Sequence, residues 1–81
     1  MTQQELKNAI FIFAEFYNLK PSYQAIFDNN YGFPSISKMI IHEMFINGFD
    51  SRSCSTEQYR AYLLIFNYTK ELSIKGEVIF K

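Results

Sequence analysis

The sequence has few of the residues that build catalytic or metal sites. Its 81 residues include one histidine, one cysteine, three glycines and no tryptophan. A structural metal site needs about four ligands, so His42 and Cys54 are too few, and the scattered glycines form no phosphate-binding loop. Cys54 also lacks a second cysteine for an intrachain disulfide, which fits a reducing compartment. We therefore expect no cofactor, no metal and no enzymatic activity.

Net charge and long apolar runs are also absent. Eight basic and eight acidic residues give a formal net charge of zero, whereas proteins that bind nucleic acid electrostatically usually carry a basic excess. No apolar run exceeds that of residues 9–14, far short of the ~20 residues that span a membrane. The first residues lack the basic region of a signal peptide. These features predict a cytoplasmic protein without a membrane span, and its neutrality favours self-association.

Aromatic residues, in contrast, are abundant. Nine Phe and six Tyr supply an aromatic fraction of 19%. Each buries roughly 150–250 Å² when it is covered, and a chain of this length has only a limited core. Two compatible interpretations follow, an aromatic core and a set of aromatics that face a partner. The many Ile, Phe, Tyr, Asn and Lys residues have AT-rich codons, which indicates a phage, a plasmid or another AT-rich genome.

The apolar periodicity predicts one all-α domain, residues 1–81, with four helices at about 3–18, 22–30, 34–47 and 56–72. Capping boxes, Thr2 to Glu5 and Ser55 to Gln58, mark the starts of the first and last helices. Gly32 is expected to end the second helix in a left-handed conformation, and Gly48 to end the third. Residues 77–81 have the composition of a short extended tail.

The last helix, about 56–72, is apolar on two faces. Tyr59, Tyr62, Leu63 and Phe66 share one face, and Ala61, Ile65, Tyr68 and Leu72 lie nearly opposite. A helix that is apolar almost all round is normally buried. This helix is therefore either the centre of the bundle or shared with a partner. Apolar positions beyond the expected core stripes are the candidate interface residues: Phe11, Ile12, Phe45, Ala61, Ile65, Tyr68 and Leu72.

Residues 21–49 resemble the helix–turn–helix of winged-helix repressors of the LexA type. Pro21-Ser22 precedes the first helix, Gly32 occupies the turn, and Gly48-Phe49 follows the second helix. The resemblance implies that helix 34–47 is a recognition helix in the DNA major groove. Its candidate contacts are Ser35, Ser37, Lys38 and His42. Asp28 stands where a small residue is usual and no basic wing follows, so DNA binding is the alternative hypothesis.

In length, helical make-up and AT-rich composition the chain resembles the small cytoplasmic lysis-inhibition accessory proteins, of antiholin type, of T-even phages. The resemblance implies that the partner is the soluble segment of a holin and that the function is to delay lysis. An inhibitor of a host factor would have the same composition. The favoured prediction is a small non-enzymatic regulator that binds a protein partner and also forms a homodimer.

Overall fold

The computed structural model describes residues 2–74, and the side chains of residues 2–71. It contains four helices, α1 (Gln3–Phe16), α2 (Lys20–Asp28), α3 (Phe33–Ile46) and α4 (Thr56–Ile74). The predicted all-α bundle of four helices is confirmed, with most helix boundaries displaced by one or two residues. The extended tail predicted for residues 77–81 lies outside the described residues. No helix in the described part of the chain combines the length and apolar character needed to cross a membrane.

Both predicted capping boxes are present. The Thr2 Oγ1 accepts a bond from the Glu5 N–H at 3.1 Å, and the Glu5 Oε1 accepts one from the Thr2 N–H at 3.3 Å. Ser55 and Gln58 exchange the equivalent bonds, at 3.1 and 3.2 Å. Each box satisfies two backbone N–H donors at a helix start, which have no acceptor within the helix.

The first three helices end in left-handed residues, and one of these corrects a prediction. Gly48 has φ 68° after α3, as expected, but the left-handed residue after α2 is Asn30, with φ 61°. Gly32 has φ −74° and instead precedes α3 as its N-cap. The expectation for Gly32 is therefore wrong. Asn tolerates the left-handed region better than other non-glycine residues, so it can close a helix without glycine.

Helix α1 occupies the centre of the bundle. It packs against α2, α3 and most extensively α4, and α4 also packs against α3. Its core stripe of Leu6, Ala9, Ile10, Phe13 and Ala14 is buried. The core residues contributed by the other helices are Tyr23, Ile36, Ile40, Ile41, Met44, Ala61 and Ile65.

Helix α4 is covered on only one of its two apolar faces. Ala61 and Ile65 are buried against the bundle, whereas Tyr59, Leu63 and Phe66 are exposed. The interpretation of α4 as a central helix covered all round does not hold for the described side chains, since Tyr59, Leu63 and Phe66 stay exposed. The prediction that Ala61 and Ile65 belong to an interface is also wrong, since the core of this single chain already covers them.

A candidate protein-binding groove

An open apolar groove lies between the C-terminal part of α3 and the middle of α4. It has a volume of about 230 Å³. Its walls are Ile41, Met44, Phe45, Phe49, Ser51, Tyr62 and Phe66. Six of these seven residues are apolar or aromatic, so the groove offers little to a small polar substrate and much to an apolar side chain.

The turn after α3 places an aromatic ring beside the groove. Gly48 reverses the chain in a left-handed conformation, and the Phe49 N–H donates to the Met44 carbonyl at 2.9 Å. The Phe49 ring then meets Phe13 of the core edge to face, with centroids 5.1 Å apart, and Tyr62 of α4 at 5.4 Å. Phe49 thus connects the groove to the rigid core, so this wall is held in place.

Phe45 stands at the rim of the groove. Its side chain is 84% exposed, the largest exposed fraction among the large apolar residues that the structure describes. Met44 and Ile41 beside it are buried, so α3 is anchored by its inner face while Phe45 projects from its edge. A single exposed apolar residue needs no explanation, but Phe45 borders an apolar groove and therefore extends a larger surface.

An aromatic strip on α4 continues that surface. Tyr59, Tyr62 and Phe66 are spaced by three and four residues and lie on one face of the helix. The ring centroids of Tyr62 and Phe66 are 4.6 Å apart, and those of Tyr59 and Tyr62 are 6.1 Å apart. Leu63 adjoins the strip and is exposed. We call Phe45, Tyr59, Tyr62, Leu63 and Phe66 together the groove surface.

Two lysines and a histidine lie on the helix strips that form the groove surface. Lys38 and His42 precede Phe45 by seven and three residues, and Lys70 follows Phe66 by four, so each lies on the same helix strip as its apolar neighbour. All three are exposed. Within the described residues no ion pair involves them. The surface therefore combines apolar rings with the positive charges of Lys38 and Lys70, which form no ion pair within the described residues.

Asp50, next in sequence to the groove residues Phe49 and Ser51, forms an ion pair with Arg52. Asp50 accepts bonds from the Arg52 backbone N–H at 2.9 Å and the Arg52 Nε at 3.2 Å. These bonds hold the pKa of Asp50 below its usual value. The negative charge of Asp50 is therefore paired with the positive charge of Arg52 at the protein surface.

The remaining interface candidates differ from Phe45. Phe11 is half-buried, with its ring 5.3 Å from that of Phe27 on α2. Ile12 is half-buried at a second groove of about 360 Å³ between α1 and α4. Tyr68 is half-buried as well, and the side chain of Leu72 lies outside the described residues. Among the candidates with described side chains, Phe45 alone is strongly exposed.

The DNA-contact candidates are not all on one surface. Ser35, Lys38 and His42 are exposed on the outer side of α3, but Ser37 is fully buried. Its Oγ has no hydrogen-bond partner among the described residues. The prediction of a DNA contact is therefore wrong for Ser37, because the inner face of α3 packs against the bundle at that position.

Two tyrosines in the interior have raised pKa values. Burial, followed by the nearby negative charge of Glu43, raises the pKa of Tyr23 to about 12 and also raises that of Tyr17. The Cys54 thiol donates to the Ser51 carbonyl at 3.5 Å. Within the described residues no three His, Cys, Asp or Glu side chains come together as metal ligands.

The geometry was only partly predictable. The sequence predicts Phe45 as an interface residue, but its interface candidates do not include Tyr59, Leu63 or Phe66. The helical wheel shows two apolar faces on this helix and contains no information about which one the other helices cover.

Comparison with protein-family models, curated proteins and solved structures finds no match to this chain.

Proposed function

We propose that this protein is a non-enzymatic regulator that acts by binding a protein partner at the groove surface. The observation that supports the proposal best is Phe45, 84% exposed at the rim of an apolar groove. Fully burying a side chain of this kind contributes about 1.5–3 kcal/mol to association. Aromatic residues that become buried on association are typical of the few positions that dominate protein interfaces.

The regulatory role belongs to the same proposal. A chain this small, with its interaction surface on one side, acts by occupying or redirecting a site on a larger protein. Its composition and helical make-up support a phage or mobile-element setting, in which it inhibits a host factor or delays lysis. In the lysis case the partner is the soluble segment of a holin. A second copy of the chain is a further candidate partner, since the net charge of zero gives little repulsion between copies.

A paired substitution tests the proposal. Phe45→Gln removes the exposed ring, and Tyr31→Gln removes one that is 61% exposed and borders a different surface depression, near the start of α1. Both positions are exposed, so each change should alter the free energy of unfolding by no more than about 0.5 kcal/mol. We expect tagged Tyr31→Gln protein to recover the same partner from source cells as the unmodified chain, and Phe45→Gln protein to lose it.

In the purified complex, we expect the recovered partner to protect the backbone amides of the groove surface from hydrogen exchange. A partner retained by Phe45→Gln, or protection confined to another surface, would show that the groove is not the binding site.

DNA binding through α3 is the alternative function. It is favoured by the exposed strip of Ser35, Lys38 and His42, whose polar side chains could reach base edges or phosphates. Phe45 interrupts that strip with an apolar ring, which favours a protein partner. A salt titration with random duplex DNA distinguishes the two: a DNA-binding protein loses affinity steeply as salt rises. Absence of measurable binding at low salt removes this alternative.

A further inference from the structure

We infer that Asn47 is a site of spontaneous modification, at which asparagine is converted into aspartate or isoaspartate, and that the C-terminal cap of α3 controls the reaction. This property does not depend on what binds the groove surface. Asn47 is exposed and is followed by Gly48, which gives the only Asn-Gly pair in the sequence. Asparagine is among the thermolabile residues, and a following glycine leaves the attacking backbone nitrogen unhindered, because glycine has no Cβ.

The reaction needs only these two residues and water. The Gly48 backbone nitrogen loses its proton to solvent and forms a bond to the Asn47 Cγ, while the Cγ–Nδ2 bond breaks and Nδ2 takes up a proton and leaves as ammonia. Water then opens the resulting ring at either of its two carbonyls. Opening at one carbonyl gives aspartate, and opening at the other gives isoaspartate, whose main chain runs through the former side chain and is one atom longer. Both products carry a negative charge that Asn47 lacks.

The folded end of α3 holds the reacting atoms apart. Asn47 is the C-cap of this helix, with φ −87° and ψ 5°. A ψ near zero places the Gly48 nitrogen beside the Asn47 nitrogen, whereas ring closure requires it beside the Asn47 Cβ. The Asn47 Nδ2 also donates to the Glu43 carbonyl at 2.8 Å, which directs the carboxamide back along the helix. Attack therefore requires rotation about the Asn47 Cα–C bond.

The same rotation breaks the Schellman motif that ends α3. In this motif the Gly48 N–H donates to the Phe45 carbonyl at 3.2 Å, and the Phe49 N–H donates to the Met44 carbonyl at 2.9 Å. Gly48 has φ 68°, the left-handed conformation that the motif requires. The Gly48 nitrogen is therefore released for attack only when this cap opens. Local opening of a helix end costs less free energy than global unfolding, so the reaction does not require the whole chain to unfold.

Modification hinders the cap from closing again. Either product lacks the Nδ2 donor that bonds to the Glu43 carbonyl, and its carboxylate lies at the negative end of the α3 dipole. Isoaspartate also lengthens the main chain by one atom before Gly48, so the two backbone bonds of the Schellman motif no longer fit one geometry. Phe49, whose ring packs against Phe13 of the core, then loses the turn that positions it.

The test is the rate at which Asn47 is converted into the acidic products, measured by mass spectrometry of the tryptic peptide 39–52 after incubation of the full chain. We expect the rate to be at least about tenfold higher in urea than in the folded chain, because urea keeps the cap open. Phe49→Ala should raise the rate in the folded chain, since it removes the ring that anchors the turn. Ile65→Ala, a core change on α4, is the control for general loss of stability and should raise the rate less.

Equal rates in urea and in the folded chain would overturn control by the cap, and no conversion in urea would overturn the site itself. An Ile65→Ala chain modified as fast as Phe49→Ala would show that global unfolding, rather than the cap, exposes Asn47. A second measurement tests the consequence of the reaction. Once the modified chain is separated by ion exchange, its Phe49 amide should exchange hydrogen faster than in the parent chain, and equal protection would contradict the displacement of Phe49.

Discussion

At the scale of single residues, Ser37 is a polar side chain in an apolar interior. It is fully buried on α3, and its Oγ lacks a hydrogen-bond partner among the described residues. A buried polar group without a partner costs about 1–3 kcal/mol, and Ala is also the better helix former. We therefore expect Ser37→Ala to raise the free energy of unfolding by about 1 kcal/mol, measured by urea denaturation.

Ser35→Ala is the matched control, because Ser35 is exposed two residues earlier on the same helix. It should change the free energy of unfolding by no more than about 0.5 kcal/mol. A lower free energy of unfolding for Ser37→Ala would contradict this prediction. It would mean that the Ser37 hydroxyl makes a stabilising hydrogen bond.

Tyr23 couples the stability of the fold to alkaline pH. Its pKa is raised to about 12 in the folded chain, by burial and then by Glu43, whereas an unfolded tyrosine titrates near ~10. The folded state therefore keeps a proton that the unfolded state releases. This contribution to stability is fully present below about pH 10 and is lost as the pH rises to about 12.

The corresponding measurement is the free energy of unfolding between these two pH values. Tyr23 should account for a decrease of up to about 1.4 kcal/mol per pH unit, which Tyr23→Phe should remove. Glu43→Gln should lower the pKa of Tyr23, because it removes a negative charge that opposes tyrosinate formation. If the free energy of unfolding depended on pH in the same way in the Tyr23→Phe variant and in the parent chain, this assignment to Tyr23 would be contradicted.

At the scale of elements, α4 has one face in the core and one at the surface. Ile65 is fully buried while Leu63, two residues earlier, is exposed. Truncating a buried Ile to Ala costs about 2–5 kcal/mol, since it removes apolar contacts and leaves a cavity. We expect Ile65→Ala to lose stability in that range and Leu63→Ala to lose less than about 1 kcal/mol, both by urea denaturation.

Equal losses for the two variants would indicate that both faces of α4 are covered. If Leu63→Ala were the more damaging change, the assignment of the inner and outer faces would be reversed.

The starts of the helices were more predictable than their packing. A capping box depends on residues three apart, such as Ser55 and Gln58, so the sequence contains the whole interaction. The left-handed end of α2 depends on Asn30 rather than the nearby Gly32, a choice between two residues that both permit the conformation. The cover of α4 depends on how α1 and α3 approach it from distant parts of the chain, and no local pattern encodes that approach.

At the scale of the whole molecule, the apolar surface and the charge are unevenly distributed. The core is organised around α1, while exposed rings collect where α3 approaches α4. Phe45 is too exposed to contribute much to folding, so its favourable contribution would come from association. Lys38 and Lys70 lie on the helix strips of the groove surface, whereas Glu5, Glu57 and Arg60 line the second groove.

The central claim is that a protein partner covers the groove surface at Phe45. Its most direct test is to replace Phe45 with a photoreactive phenylalanine analogue in source cells and, separately, to place the same analogue at Tyr31. The account predicts a discrete covalent adduct after irradiation from position 45 and none from position 31. No adduct from position 45, or the same adducts from both positions, would contradict it.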